Sequence, residues 1–248
     1  MTAQSSAQKV ALVTGGSRGI GAAIAQRLAK DGFVVIINYV RSADEAQALI
    51  SKIEQAGGRA IAAQADVSDA ASVRTLFDSA EQAFGGIDVL VNNAGIMTLA
   101  PLVDTDDNAF DKLMDINLKG TFNTLREAGK RLRSGGRVIN FSSSVVGLYQ
   151  PSYSIYAATK AAVEAMSKVF TNEMRGRNIT VNVIAPGPTA TDLFLDGKSP
   201  QWVEHIARLA PLERLGEPQD IAATVAFLAG PDGAWVNGQI LRVNGGIV

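Results

Sequence analysis

The sequence of 248 residues predicts a doubly wound α/β fold, in which a parallel sheet carries helices on both faces. Short β-branched runs alternate with segments of helical spacing from Val10 to Val243. The runs are almost continuously apolar, as strands buried on both faces are, and do not alternate between apolar and polar residues. Sheets of this kind bind ligands beyond the carboxyl ends of their strands, so we expect the chemistry to follow the strands.

The predicted elements run in alternation along the whole chain. The strands are expected at Val10–Thr14, Val34–Asn38, Ala60–Gln64, Val89–Asn92, Arg137–Phe141, Thr180–Ile184 and Ile240–Val243, which makes a seven-stranded sheet. The helices are expected at Ile20–Asp31, Ser42–Ala56, Ala71–Phe84, Asp107–Leu132, Tyr153–Arg175 and Pro218–Leu228. No proline-rich linker or charge block divides this pattern, so residues 1–248 are predicted to form a single domain, with residues 1–8 as a flexible tail.

Composition favours a small-molecule ligand. The net charge of −1 gives no general attraction to nucleic acid or to a membrane surface, so neither is expected as a partner. The chain has no cysteine and one histidine, which excludes disulfides and thiolate catalysis, and no metal site is expected. The polar segment Met1–Gln8 lacks the features of a signal peptide, and no apolar run is long enough to span a membrane. A cytoplasmic location is therefore expected.

A glycine-rich turn follows the first predicted strand and opens the first helix. Gly15, Gly19 and Gly21 follow the spacing G-x-x-x-G-x-G. In that order they would permit a tight turn, close backbone approach to a diphosphate, and close packing of the helix. The diphosphate would lie at the positive N-terminus of the helix. The spacing alone is a weak signal, and a plain structural turn is the alternative, but the strand–turn–helix context favours phosphate binding.

Small or polar residues also close the third and fourth predicted strands. Asp66, followed by Val67, could accept a hydrogen bond from an adenine amino group. Asn93, Ala94 and Gly95 would let the backbone pass close to a flat base or a ribose. Each segment has a structural alternative, because Asp66 can cap the next helix and the Asn-Asn-Ala-Gly stretch can form a turn.

The fifth strand and the helix after it carry residues suited to proton chemistry. Tyr156 and Lys160 are four positions apart, so they project from one face of the helix. A nearby ammonium favours phenolate, and we expect Lys160 to lower the pKa of Tyr156 from about 10. Ser142, Ser143 and Ser144 close the strand, where a hydroxyl could polarise a substrate carbonyl. The alternatives are a surface pair on an amphipathic helix and an ordinary serine turn.

Taken in order, these segments resemble the signature set of the short-chain dehydrogenase/reductase family. The resemblance runs from about Lys9 to Val248. It implies a Rossmann-type fold and hydride transfer between a nicotinamide cofactor and a carbonyl/alcohol pair. The family's serine lies thirteen residues before its tyrosine, which selects Ser143. The matching segments are Thr14–Gly21, Asp66, Asn92–Gly95, Asn117, Ser143, Tyr156–Lys160 and Pro186-Gly187.

The resemblance implies a role for each catalytic residue. In reduction, Tyr156 would protonate the carbonyl oxygen and Ser143 would hydrogen-bond it. Lys160 would hold the nicotinamide ribose, and Asn117 would order a water molecule that relays protons to Lys160. Without the resemblance, Asn117 could equally be a helix-interior residue facing solvent.

Beyond the sixth strand, the resemblance implies contacts to the nicotinamide and a lid. Pro186 and Gly187, with Thr189 and Thr191, would bind the carboxamide of the nicotinamide. Residues 188–211 would form a substrate lid. A surface loop with a short helix is the alternative, but so long a loop is more often functional.

The end of the second strand predicts a preference for NADP(H) over NAD(H). NAD-binding folds place an acid there for the ribose 2′-hydroxyl, and it would repel a 2′-phosphate. The segment Ile37–Ser42 has no acid, while Arg18 and Arg41 could reach a phosphate, with Asn38 and Ser42 as neutral donors. Solvated surface charges are the alternative. The predicted cofactor-binding residues are Gly15, Ser17, Arg18, Gly19, Ile20, Gly21, Asn38, Tyr39, Arg41, Ser42, Asp66, Val67, Asn93, Ala94, Gly95, Tyr156, Lys160, Pro186, Gly187, Thr189 and Thr191.

The leading functional hypothesis is an NADP(H)-dependent carbonyl reductase or alcohol dehydrogenase acting on small to medium ketones, aldehydes or alcohols. The nearest alternative is a 3-oxoacyl-(acyl carrier protein) reductase, which would need a basic patch beside the cleft to dock its acidic carrier. A basic cluster of Arg126, Lys130, Arg131 and Arg133 keeps that alternative open. The remote alternative is a non-catalytic dinucleotide-sensing regulator, since one fold hosts many functions.

A homotetramer is also expected, as the resemblance implies. The helices around the catalytic residues carry more apolar residues at helical spacing than one sheet face obviously needs. Burial in the core of a single chain could also absorb them. These residues include Phe110, Leu113, Met114, Val163, Met166 and Phe170.

Overall fold

The computed structural model of the protein describes residues 8–248. Of the tail predicted at residues 1–8, only Gln8 is therefore described, and the prediction for residues 1–7 lies outside the described part of the chain. No helix in that described part is both long and apolar enough to cross a membrane.

The described strands form one parallel sheet of seven strands, which confirms the predicted fold class. Its order is β3-β2-β1-β4-β5-β6-β7, so the direction of winding reverses between β1 and β4. A crevice at such a reversal, beyond the carboxyl ends of the strands, is where this fold binds ligands. The strands are β1 (Val10–Val13), β2 (Val34–Tyr39), β3 (Arg59–Gln64), β4 (Val89–Asn92), β5 (Arg137–Phe141), β6 (Thr180–Pro186) and β7 (Ile240–Val243).

Helices cover both faces of the sheet. The helices are α1 (Gly19–Lys30), α2 (Ala43–Gln55), α3 (Ala70–Phe84), α4 (Asp107–Leu113), α5 (Gly120–Arg131), α6 (Val145–Leu148), α7 (Ser154–Glu173), α8 (Asp192–Leu195), α9 (Pro200–Leu209) and α10 (Pro218–Ala229). One core cluster joins α1, α2 and α10 to the sheet, and the other joins α3, α5 and α7. In β1, Ala11 and Val13 belong to the first cluster while Val10 and Leu12 belong to the second, which explains why the strand is apolar throughout.

The helix predicted over Asp107–Leu132 is interrupted. A π-helical turn, Met114–Lys119, separates α4 from α5, and Asn117 lies inside it. Such turns insert an extra residue into a helix and often occur at functional sites. Periodicity over the long segment predicted its helical character but could not show the wider turn.

The segment 188–211 contains two helices, α8 and α9, that were not predicted as elements. The single histidine of the chain, His205, lies exposed on α9. The signal for this helix was present, because Ser199 caps it by accepting from Trp202 N at 3.2 Å and Pro200 occupies its first turn.

Candidate active site

A cleft of about 540 Å³ opens beyond the carboxyl ends of β1, β4, β5 and β6. Every residue predicted to bind cofactor or to act in catalysis lines this cleft except Asn117. Asn117 lies directly behind the wall, since a Cβ placed on Gly95 would be 3.3 Å from Asn117 Oδ1 and 3.5 Å from Lys160 Nζ. The fold therefore brings together residues that are distant in the sequence.

The glycine turn has the shape that its spacing predicts. Gly15 and Gly19 have φ of +58° and +54°, in the left-handed region that favours glycine. A Cβ on Gly21 would lie 2.3 Å from Gly15 O and 2.6 Å from Asn93 Nδ2, so no larger residue fits without moving the turn. The turn therefore holds backbone close to the cleft at a place where side chains are excluded.

Side-chain amides brace this turn from two strands. Asn93 Nδ2 donates to Thr14 O and Gly15 O, each at 3.0 Å. Asn38 Oδ1 accepts from Gly15 N at 3.3 Å, and Asn38 Nδ2 donates to Ala63 O and Ala65 O at 3.2 and 2.9 Å. The prediction that Asn38 donates to a phosphate is wrong for this geometry, because Asn38 is buried and both its amide hydrogens are used within the protein.

The N-terminus of α1 has the properties of an anion site. Its N-cap, Arg18, makes no side-chain capping bond, and the first turn contains no acid. Unbonded N–H groups at a helix start and the helix dipole both favour a negative ligand. Arg18 and Arg41 are exposed at the cleft, and within the described chain neither forms an ion pair.

Asp66 closes a turn on the cleft wall. Its Oδ1 accepts from Ser68 N at 2.9 Å and from Ser68 Oγ at 2.7 Å. Asp69, not Asp66, caps α3 by accepting from Ala71 N and Ser72 N. The structural alternative of a helix cap at Asp66 is therefore wrong, while the residue keeps its place on the wall.

The structure separates the three serines after β5. Ser142 Oγ donates to Glu164 Oε1 at 2.6 Å, and Ser144 Oγ donates to Ala185 O at 3.2 Å; both serines are buried. Ser143 is only partly buried, lines the cleft together with Tyr156, and acts to lower the pKa of that tyrosine. Ser143, which the family spacing selects, is thus also the serine whose hydroxyl meets the tyrosine.

The ionisation of Tyr156 differs from the sequence-based expectation. Burial raises its pKa to about 12, and the hydrogen bond from Ser143 opposes that rise only in part. The Lys160 ammonium lies 5.7 Å from the Tyr156 ring centre but does not reverse the effect of burial. The expected lowering of the Tyr156 pKa is therefore wrong here, and the phenol is protonated at neutral pH.

Lys160 is buried beside the tyrosine. Its Nζ donates to Phe141 O at 3.1 Å, and burial lowers its pKa from 10.5 to about 8. The side chain is only 5% exposed, so the charged form has lost most of its hydration. The ammonium form nevertheless predominates at pH 7.

Asn117 joins the end of β4 to α7. Its Oδ1 accepts from Ile96 N at 2.8 Å, while its Nδ2 donates to Ile96 O at 2.9 Å and is 3.4 Å from Thr159 Oγ1. The side-chain amide is therefore committed to protein partners. The ordering of a water molecule by Asn117 stays a prediction.

Apolar residues complete the cleft wall, some from the predicted lid at residues 188–211 and others, such as Tyr153, that the sequence did not single out. Tyr153 packs edge-on against Tyr156 with ring centres 6.4 Å apart, and Phe194 of α8 lies 5.5 Å from Trp202 of α9. No short-range pattern marks them, since they come from separate loops and helices. The other apolar wall residues include Met97, Leu148, Ile206 and Ile247.

Comparison with known proteins agrees with this geometry. A family model described as enoyl-(acyl carrier protein) reductase matches residues 15–248. A short-chain type dehydrogenase/reductase from Picea abies is 46% identical over 250 residues, covering 97% of this chain and 92% of the relative. An Arabidopsis thaliana protein named as a chloroplastic NADPH-dependent aldehyde reductase-like protein is 45% identical over 256 residues, covering 98% and 95%.

A solved structure shows the same likeness in three dimensions. It is a short-chain dehydrogenase from Burkholderia cenocepacia in complex with NADP, 40% identical, with a TM-score of 0.91 and coverage of 97% of this chain and 98% of that one. Sequence, fold and the family-wide match therefore agree, and the chain belongs to the short-chain dehydrogenase/reductase family of oxidoreductases.

Proposed function

We propose that the protein is an NADP(H)-dependent carbonyl reductase that reduces ketones or aldehydes and oxidises secondary alcohols in the reverse direction. The observation that carries the proposal is the meeting of Ser143, Tyr156 and Lys160 in the cleft that also holds the glycine turn. Ser143 can polarise a carbonyl, Tyr156 can donate a proton, and Lys160 holds positive charge beside them.

The residues present fit a dinucleotide phosphate. The glycine turn and the free start of α1 suit the diphosphate, and Arg18 and Arg41 suit a 2′-phosphate, with Ser42 beside them on the wall. The absence of an acid in Ile37–Ser42 removes the repulsion that would exclude that phosphate. The relatives that are named for NADPH or contain NADP support the same cofactor. When bound, NADP(H) supplies or accepts the hydride at the carbonyl carbon.

The proton comes from this chain. With a pKa of about 12, Tyr156 is protonated at neutral pH and can donate to the carbonyl oxygen as that oxygen gains negative charge. Ser143, beside the same phenol on the cleft wall, can turn its one O–H toward the carbonyl oxygen and donate a second hydrogen bond to it. The tyrosinate left behind is stabilised by the Lys160 ammonium and recovers its proton from solvent. In the reverse direction, Tyr156 takes the hydroxyl proton.

The wall of the cleft supports an apolar substrate body. Tyr153, Phe194 and Trp202 contribute aromatic surface, and no acid or base of the wall is needed to recognise a simple carbonyl compound. We also propose that residues 188–211 act as the substrate lid of a single-domain enzyme of residues 1–248.

The basic cluster that kept a 3-oxoacyl-(acyl carrier protein) reductase open gives that alternative less support in the structure. Arg131 is paired with Asp78, Glu81 and Glu127, and Arg133 is paired with Asp88. Both arginines lie near the amino end of β4, because Arg133 N donates to Ile87 O, whereas the cleft is at the carboxyl ends. Two of the four residues of the predicted basic patch are thus paired with acids and lie at the opposite end of β4 from the cleft, which weakens the patch as a dock for an acidic carrier.

A non-catalytic regulator is also a poorer fit. Such a protein needs no assembled proton donor, yet Ser143 meets Tyr156 and Lys160 is buried beside them at an energetic cost.

Exposed apolar residues support a homotetramer as a further part of the proposal. Leu113, Val163 and Phe170 of the predicted set are buried within the single chain, so they carry no argument for assembly. Phe110 remains 40% exposed, and Phe122 on α5 is 45% exposed. Large exposed apolar side chains on neighbouring helices favour contact with another copy. A cytoplasmic location stays a prediction; the Arabidopsis relative is named as chloroplastic.

The direct test is turnover of a panel of aldehydes, ketones, sugars and an acetoacetyl thioester with both cofactors, followed by the absorbance of the reduced nicotinamide. We expect the highest kcat/KM for an aldehyde or ketone with NADPH. Equal or higher kcat/KM with NADH would contradict the cofactor assignment, and turnover of the thioester alone would favour the acyl-carrier alternative. A chain that turns over none of them would contradict the proposal.

Replacement of the arginine at the second strand tests the phosphate clamp. Arg41→Asp removes an attraction and adds a repulsion, so we expect the NADPH/NADH ratio of kcat/KM to fall at least about tenfold. Arg175→Asp, at an exposed site away from the cleft, is the matched control and should leave the ratio unchanged. An unchanged ratio in Arg41→Asp would mean that Arg41 is only a solvated surface charge.

A further inference from the structure

We propose that Glu164 is a positioning residue of the active site, which holds Ser143 in place against Tyr156 by binding the neighbouring Ser142. The inference rests on the proposed function, because it assigns to Glu164 a part in the carbonyl reduction without contact to the substrate. Nothing in the motif pattern singled out Glu164.

The contact between Glu164 and Ser142 joins two elements that carry the catalytic groups. Glu164 lies on α7, one helical turn beyond Lys160, and Ser142 follows the last residue of β5. Glu164 Oε1 accepts from Ser142 Oγ at 2.6 Å. A carboxylate bound to a hydroxyl at this distance makes a stronger hydrogen bond than two neutral partners do.

Ser142 is held from its other side as well. Its backbone N–H donates to Ile184 O at 2.8 Å, which continues the pairing of β5 with β6 by one residue. The serine is 4% exposed, so its hydroxyl has no access to bulk water and needs an internal partner. Ser143 is the next residue; its backbone oxygen accepts from Val146 N at 3.2 Å, and its Oγ accepts from Val145 N at 3.4 Å. Ser143 thus lies between two anchored neighbours, Ser144, whose N–H donates to Pro186 O at 2.9 Å, and Ser142, whose side chain is held by Glu164.

Three polar contacts in a row fasten α7 to the end of β5. Asn140 Nδ2 donates to Ser167 Oγ at 2.7 Å, Lys160 Nζ donates to Phe141 O at 3.1 Å, and Glu164 accepts from Ser142. Their partners on the strand side are the consecutive residues 140, 141 and 142. Of these three contacts, the one made by Glu164 is nearest to Ser143 in the chain, so it fixes the strand side of the serine that faces the tyrosine on the same helix.

The carboxyl end of β5 is also held by buried hydrogen bonds to its other neighbours. Asn92 Nδ2 donates to Asn140 Oδ1 at 2.8 Å, and Thr124 Oγ1 donates to Asn92 Oδ1 at 2.7 Å. These side chains are buried, and they tie β5 to β4 and α5. With the strand held in this way, loss of the Glu164 contact would loosen the serine loop on the side of Ser142, while the sheet and the backbone bond from Ser144 to Pro186 O stay in place. Displacement of a catalytic group by about 1 Å lowers a rate by up to about 10²-fold.

Three variants test the inference with the full-length protein. Glu164→Ala and Ser142→Ala each remove the contact from one side, and we expect each to lower kcat by about tenfold to a hundredfold, with NADPH Kd within about threefold of wild type. Glu164→Gln keeps an oxygen that can accept from Ser142 and should restore kcat to within about threefold. The double variant Ser142→Ala/Glu164→Ala should be no slower than either single variant, because each single substitution already removes the same hydrogen bond.

Thr171→Val is the matched control on the same helix. Thr171 Oγ1 is 2.9 Å from Ser167 O and 3.3 Å from Val181 O, so the variant removes a comparable contact between helix and sheet, but farther from the serine loop. We expect it to lower Tm and leave kcat unchanged. If Ser142→Ala keeps kcat within twofold of wild type, or if Thr171→Val loses as much kcat as Glu164→Ala, the positioning role is wrong.

A crystallographic comparison separates this inference from the proposed function. In the Ser142→Ala variant we expect the Ser143 hydroxyl to move away from Tyr156, while α7 and β5 superimpose on wild type. A variant structure that keeps the contact between Ser143 and Tyr156 would overturn the inference whether or not the protein reduces any carbonyl compound. Absence of turnover in the wild-type protein would instead overturn the proposed function alone.

Discussion

The buried lysine offers a test of the site that needs neither substrate nor cofactor. Replacing Lys160 by Met removes an ammonium that is 5% exposed and keeps a side chain of similar length. The Lys160 pKa falls from 10.5 to about 8 on folding, and the cause is burial. At about 1.4 kcal/mol for each pKa unit, the folded chain at pH 7 holds the charged form at a disadvantage of roughly 3 kcal/mol.

Removing the charge should therefore stabilise the folded chain by that amount. The same change removes the hydrogen bond from Lys160 Nζ to Phe141 O, which costs about 1 kcal/mol of stability. We therefore expect Lys160→Met to be more stable at pH 7 by roughly 2 kcal/mol, a Tm rise of about 4–8 °C for a chain of this size. Carbonyl reduction should meanwhile fall steeply, since the neighbouring tyrosinate loses its counter-charge. Lys130→Met, at an exposed position, is the control and should leave Tm nearly unchanged.

The stability difference between wild type and Lys160→Met should change with pH in a defined direction. Between pH 8 and 10.5 the unfolded chain holds the lysine proton and the folded chain has released it, so the stability of the wild type rises with pH in that window. The Met variant lacks this contribution, and its advantage should shrink as pH rises from 8 toward 10.5. Thermal unfolding of both proteins at pH 7 and pH 10 measures the two differences. A variant that is no more stable than wild type at pH 7, or equally favoured at both pH values, would show that burial of the Lys160 ammonium does not lower the stability of the folded chain.

Three further predictions follow from the site and surface. Tyr156→Phe should lower turnover by at least about 10²-fold with NADPH Kd nearly unchanged, because only the proton donor is lost. The control is the exposed Tyr149→Phe, and retention of more than about a tenth of wild-type activity in Tyr156→Phe would contradict its role. Gly21→Ala should weaken NADPH binding at least about tenfold by calorimetry, because its Cβ would lie 2.3 Å from a backbone oxygen; unchanged affinity would show that the turn adapts. Light scattering at micromolar concentration should give a tetramer mass that Phe122→Glu lowers, and a monomer mass for the wild type would refute assembly.

The fold was predictable because its signals are local and repeated. The predicted bounds of β4, β5 and β7 match the structure residue for residue, since each is an apolar run between turn residues. β6 extends to Pro186, two residues beyond its predicted end. Proline has no N–H to donate, so it weakens a strand prediction even where the strand continues. The π-helical turn escaped for a different reason, because a single extra residue hardly disturbs the periodicity of a long helical segment.

The candidate site was predictable as a set of residues but less so in its detailed contacts. All predicted cofactor residues lie on one cleft wall because they follow the carboxyl ends of neighbouring strands. The contacts of Asn38 and Asn117 depend on which donors and acceptors the fold brings near them, and no spacing rule reports that. The Tyr156 pKa was predicted in the wrong direction for the same reason, since a sequence shows a nearby charge but not the loss of water around it.

The π-helical turn Met114–Lys119 makes the length of this segment critical. Deleting one residue from the turn would restore α-helical hydrogen bonding and rotate everything beyond it by about 100°. Asn117 would then leave Ile96, or the buried face of α5 would turn toward solvent. Natural relatives with this site should therefore keep the spacing between Ile96, Asn117 and the buried Thr124 free of insertions and deletions, whereas surface loops elsewhere tolerate them. In library design, this stretch is a place to substitute residues and not to add or remove them.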